Sequence, residues 1–173
     1  MRAPEFWKAV VVDESSFLES LVALLAREGA RYCVIGGQAV NAYVEPLVSL
    51  DLDIAVAAED LPTLEEALRA SFRVERFPHS LNVSLPGSDL RAQVQTDPRY
   101  AAFVSRAESR PVLGLALPVA AVDDVLRGKV WAALDAERRP SKRQKDLADI
   151  ARLLERYPEL RPQVPQKILD RLL

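Results

Sequence analysis

At roughly 150 residues per domain, 173 residues suit one domain with a sizeable core. Lys and Arg total 23 against 25 Asp and Glu, a formal net charge of −2 that argues against a broad basic surface for duplex DNA. The composition, 49% hydrophobic and 28% charged, is that of a globular protein, and no run of about 18 apolar residues offers a membrane span.

The single cysteine, Cys33, excludes an internal disulfide and a multi-cysteine zinc site. The N-terminal Met1-Arg2-Ala3-Pro4-Glu5 opens no long apolar signal core, so the expectation is a cytoplasmic protein. Phe6 and Trp7 are candidates to anchor an N-terminal arm. Leu18, Leu21, Val22 and Leu25 repeat at helical intervals and predict a helix over 17–28, with Ser16 and Glu19 at capping-box spacing and Gly29 as the stop. Tyr32–Ile35 reads as a buried strand, Gly36-Gly37 as a tight turn, and Gln38–Tyr43 as a short helix that Pro46 ends. Leu50–Val56 alternates as a second strand, with Asp51, Asp53 and Ala55 on one face and Leu52, Ile54 and Val56 on the other. A helix is predicted over 60–71 with Asp60 as its cap, followed by an antiparallel meander of Arg73–Phe77, Leu81–Leu85 and Leu90–Thr96. The second half changes character: helices are expected at Asp123–Leu134, Lys142–Tyr157 and Ile168–Leu172. This order implies an α/β (α+β) fold, a mixed sheet flanked by helices. Residues 1–120 would form the α/β core, and 121–173 helices packed on it as one continuous domain.

The strongest local signal joins Gly36-Gly37 to Asp51-x-Asp53. A glycine pair between strand and helix lets backbone N–H groups approach an anion closely. Two carboxylates on one strand face repel each other unless a cation sits between them. Their hard oxygens suit Mg²⁺, which takes one or two carboxylates plus substrate phosphates. A phosphate cradle beside such a pair is equipment for phosphoryl or nucleotidyl transfer. The plain alternatives are an ordinary turn and a solvated strand face. On the rear helix Asp146, Asp149, Ile150 and Leu153 form one stripe, so these carboxylates are partly buried and in need of partners, or else pair on the surface with Lys142 and Lys145.

Strand, Gly-Gly, short helix and Asp-x-Asp in this order resemble the nucleotidyltransferase superfamily. The residues that carry the likeness are Ile35-Gly36-Gly37-Gln38-Ala39-Val40-Asn41-Ala42-Tyr43 and Ser49-Leu50-Asp51-Leu52-Asp53. Lys129 within Gly128-Lys129-Val130-Trp131, and Lys145-Asp146-Leu147-Ala148-Asp149, are similar to motifs of minimal and AbiEii-type proteins of toxin–antitoxin systems. That resemblance implies that Gly36, Gly37, Lys145 and Asp146 bind the nucleotide and that Asp51 and Asp53 hold Mg²⁺; Ser49, two residues before Asp51, could contact a phosphate. The resemblance also implies that Lys129 approaches the triphosphate of an NTP, with Asp146 or Asp149 completing the site. One departure stands out. Many active members supply a third acid from a later strand, where this chain has Gln93, and Asp97 could replace it only with a shifted register. An amide brings neither the charge nor the basicity to activate a hydroxyl.

Two functions follow. One is transfer of a nucleoside monophosphate from an NTP to a hydroxyl of RNA, protein or a small molecule. The other is a catalytically inactive nucleotide- or partner-binding protein, one half of a pair with a cognate protein. The basic cluster Arg138, Arg139, Lys142, Arg143 and Lys145 could draw in a nucleotide or an RNA acceptor such as tRNA. His79 reads as a solvated loop histidine and Cys33 as a small core residue.

Overall fold

The computed structural model describes residues 16–172; Phe6 and Trp7 lie outside the described residues. Helix α1 occupies 16–27, so Ser16 is already helical and is not a cap. Then follow β1 (Tyr32–Ile35), α2 (Gly36–Asn41), β2 (Asp51–Val56), a 3₁₀ turn (Ala58–Asp60) and α3 (Leu61–Ser71). Next come β3 (Arg73–Phe77), β4 (Ser80–Ser84), β5 (Arg91–Gln95) and a 3₁₀ segment (Pro98–Arg106). The chain continues through β6 (Glu108–Val112), β7 (Leu115–Val119), α4 (Val122–Leu134) and α5 (Pro140–Arg156). A further 3₁₀ segment (Pro158–Gln163) and α6 (Gln166–Leu169) complete it.

One mixed sheet has the order β3-β4-β5-β2-β1-β7-β6. The meander β3-β4-β5 is antiparallel as expected, whereas β5 joins β2 in parallel and β7 joins β1 in parallel. The fold class is thus the mixed α/β sheet flanked by helices that the sequence suggests. Leu52, Ile54, Leu81, Val83, Ala92 and Val94 are all buried, and the same hydrophobic cluster takes in Val125 and Leu126 of α4 and Ile150 and Leu153 of α5. The strand that carries the two aspartates therefore lies inside the sheet, under elements from both halves of the chain.

The hairpin β6–β7 has no counterpart among the elements expected from the sequence. Its two-residue loop is Leu113-Gly114, both at positive φ (51° and 84°), the backbone of a type I′ turn without its usual Asn or Asp. Pro111 and Pro118 further disguise the strands; Pro111 lies on the sheet's edge strand, where a missing N–H is tolerated. Other expectations shift. Helix α2 begins at Gly36 itself, α5 begins at Pro140, the closing helix runs Gln166–Leu169 rather than Ile168–Leu172, and Asp60 makes no side-chain cap. The Asp60 carboxylate instead accepts from Arg31, from the backbone N–H at 2.9 Å and from Nε at 3.1 Å.

Candidate functional site

Antiparallel pairing sets Asp53 opposite Ile35, the residue before Gly36. Gly36 has φ +68°, and a β-carbon there would collide with the Asp53 carboxylate. The close approach that this glycine permits is therefore to Asp53. Gly37 faces open space. Asp51 begins β2, is 55% exposed, and lies 3.6 Å from Arg91 Nε. Ser49 is bound up locally: its Oγ accepts from the Asp51 N–H at 3.3 Å, and its carbonyl accepts from Gln38 Nε2 at 2.9 Å.

Helices α4 and α5 bring the counter-charges. Lys129 Nζ, buried, lies 2.8 Å from Asp149 Oδ2 and 3.2 Å from Asp146 Oδ1. Asp146 is 1% exposed and accepts a bidentate pair from Arg138, Nε at 2.9 Å and Nη2 at 3.1 Å. Burial acts to lower the Lys129 ammonium, but Asp149, Asp146 and Asp53 outweigh it and hold it above the ordinary lysine value. Burial likewise pushes Asp53 up to about 6, with Asp51 adding to the rise; Lys129, Arg138 and Lys142 oppose it. The charges of all three cations thus act on the aspartate.

The sequence-predicted residues separate accordingly. Asp53, Lys129, Asp146 and Asp149 come together, with Asp51 beside them on the strand. Lys145 is exposed and makes no ion pair among the described residues. Lys129 is not a free cation awaiting a phosphate; two carboxylates hold it. Arg138 and Lys142, read in sequence only as members of a basic cluster, are the ones that act on Asp53. Arg152, not singled out from the sequence, pairs with Asp149 at 2.8 Å, and its i,i+3 spacing was the available signal. His79 shows nothing that draws it to the site, and Cys33 is a buried free thiol pushed up to about 12, chiefly by burial.

The register places Gln93 of β5 directly beside Asp53. Asp97 is occupied elsewhere, accepting from the Arg99 N–H at 3.0 Å as a cap and pairing with its guanidinium at 2.9 Å. Among the described residues no group of three or more His, Cys, Asp or Glu is arranged to hold a metal. Two carboxylates from alternate residues of one strand fit a cation that completes its shell with water and phosphate oxygens, which is the habit of Mg²⁺.

No family model matches the chain, and no curated protein does. Solved structures do. The crystal structure of ANT(2'')-Ia in complex with adenylyl-2''-tobramycin superposes with a TM-score of 0.57 at 15% identity, over 91% of this chain and 98% of that one. The lincomycin-bound lincosamide antibiotic adenylyltransferase LnuA gives 0.53 at 11% identity, over 79% and 95%. The fold is that of the nucleotidyltransferases. An antigenic nucleotidyltransferase-like protein from Paracoccidioides brasiliensis also shares it, with a TM-score of 0.54 and 16% identity over 83% of this chain and 76% of that one. Among the described residues of this nucleotidyltransferase fold no helix is long and apolar enough to cross a membrane.

Proposed function

We propose that the protein transfers a nucleoside monophosphate from an NTP to a hydroxyl acceptor, with Mg²⁺ held by Asp51 and Asp53. The observation that carries this is the pairing of a half-exposed carboxylate with a recessed one on the same strand face, the recessed one opposed by Lys129, Arg138 and Lys142. Bound there, the metal would neutralise the triphosphate and polarise the phosphorus that is attacked. Gly37, beside open space, leaves room for phosphate close to the backbone, while Gly36 lets the Asp53 carboxylate pack against the start of α2. Lys142, exposed and near enough for its charge to act on Asp53, is the cation best disposed to meet the phosphates. Lys129, Asp146 and Asp149 hold the charge of the recess in place rather than touching the nucleotide. Lys145 is left to the outer surface.

Fold relatives solved with adenylyl-tobramycin or lincomycin favour a small-molecule acceptor over RNA or a protein. The likeness to AbiEii-type proteins, and with it a toxin–antitoxin partnership, rests on the Lys129 motif and the rear Lys-Asp motif, and a cytoplasmic location on the N-terminal sequence. A second reading keeps nucleotide binding and drops transfer. It is favoured by Gln93, an amide in register with Asp53 where a third acid would act as base. Incubation with labelled NTPs, Mg²⁺ and hydroxylated acceptors decides between them. Transfer lost in both Asp51→Ala and Asp53→Ala supports the first reading. Metal-dependent nucleotide binding without transfer supports the second, and transfer indifferent to both substitutions sinks the site.

A further inference from the structure

The loop between α2 and β2 gains little from burial: Leu47 and Val48 are exposed, Val48 completely. Side chains hold it instead. Asn41, the last residue of α2, closes on Leu47 in both directions, Nδ2 donating to the Leu47 carbonyl at 2.7 Å and Oδ1 accepting the Leu47 N–H at 3.0 Å. Gln38 fixes the Ser49 carbonyl. Arg152 of α5 then ties the assembly to the core of the site. Its Nη2 donates to the Glu45 carbonyl at 2.6 Å and to Asn41 Oδ1 at 3.1 Å, while Nη1 meets Asp149 Oδ1 at 2.8 Å. The other Asp149 oxygen holds Lys129. One guanidinium thus connects the loop leading into Asp51 with the ammonium that faces Asp53.

The two aspartates differ in what fixes them. Asp53 is paired on both sides within the sheet and packed on Gly36. Asp51, the first residue of its strand, is paired on one side only, with Arg91 of β5, and its N–H bonds to Ser49 Oγ of the loop. On the side of β1 its place follows the loop. The charges close as well: Lys129, Arg138 and Arg152 carry three positive charges against three negative on Asp53, Asp146 and Asp149.

We infer that Arg152 is a positioning residue that clamps residues 45–47 to Asp149 and so sets Asp51 at the separation from Asp53 that a divalent cation needs. The inference rests on the proposed reading of the aspartate pair as a metal site. Only a guanidinium can serve, because the clamp needs separate donors for Asp149 and for the loop, in a fixed fork.

The test uses the full chain with Mn²⁺ and a non-hydrolysable ATP analogue, reading Mn²⁺ affinity from water-proton relaxation and loop order from amide hydrogen exchange. In Arg152→Gln and Arg152→Lys alike, Leu47 N–H exchange accelerates at least tenfold while Val34 and Ile54 in the sheet stay protected. Mn²⁺ affinity falls by about tenfold, the lower end for a residue that orients metal ligands. Asn41→Ser, at the far end of the clamp, gives the same pair of changes, and the double variant adds little to either single one. Unchanged Leu47 exchange, or faster exchange with unchanged Mn²⁺ affinity, overturns the inference alone. A wild-type chain that binds no Mn²⁺ overturns the metal-site reading and the inference with it.

Discussion

Replacing Asp53 by Asn should stabilise the metal-free protein at neutral pH while abolishing its transfer activity. Burial lifts this carboxyl from the usual 3.8 to about 6, against the partial relief that Lys129, Arg138 and Lys142 supply. At about 1.4 kcal/mol per tenfold change in acidity, holding it ionised costs the folded state at most about 3 kcal/mol. The sign follows from proton binding. Between 3.8 and about 6 the folded chain binds more protons at this position than the unfolded chain, so stability falls as pH rises through that window. Below the window the cost is absent, and above it the cost is complete. Asn cannot ionise and escapes the cost altogether. Urea unfolding of both proteins at several pH values from 4 to 7.5, without divalent cations, should show curves that lie together in acid and separate as pH rises. The variant should be ahead by about 1–3 kcal/mol at pH 7.5, or several degrees in Tm for a chain of this size. Mg²⁺ with nucleotide should then stabilise the wild type alone. A variant no more stable than wild type at pH 7.5, or a gap that does not change with pH, would refute the reasoning.

Lys129→Met should destabilise the fold by about 3–5 kcal/mol in denaturant titration, because Asp146 and Asp149 keep their burial and lose their shared cation. Gly36→Ala should lower Tm through its positive φ, which costs a β-carbon residue about 1–2 kcal/mol, and through the collision with Asp53; Gly37→Ala should leave Tm close to wild type. Gln93→Asp should raise the transfer rate at saturating Mg²⁺ by about a hundredfold, the lower range for a positioned base, and an unchanged kcat would remove Gln93 from the account of the missing acid.

Local patterning made much of this molecule legible. The alternation over Asp51–Val56 and the order strand, Gly-Gly, short helix, Asp-x-Asp suffice for the heart of the fold, because each is a short-range consequence of side-chain period and backbone freedom. The 0, 3, 4, 7 stripe of the rear helix also carries through, with Asp146 and Ile150 buried and Asp149 turned to Lys129. What stayed hidden is long-range. Nothing near Lys129 in the chain says that two acids of the next helix will claim it, nor that Arg138 rather than Lys145 will complete the cluster. The β6–β7 hairpin escaped because Leu113 occupies a left-handed turn position and prolines interrupt both strands. Arg152 escaped because its partners at Asn41 and Glu45 are more than a hundred positions away.

The parallel pairings have a kinetic consequence. β1 must wait for β7 and β2 for β5, and loop-closure entropy makes such distant pairings slow to form. The acids of β2 are synthesised long before the cations of α4 and α5 that face Asp53. A nascent chain emerging only as far as β7 carries Asp53 without Lys129 or Arg138. The recess is thus complete only once the last long helices have settled on the sheet. Substitutions within α5 should accordingly slow the appearance of nucleotide binding during refolding more than they slow formation of the β3-β4-β5 meander, whose contacts are local.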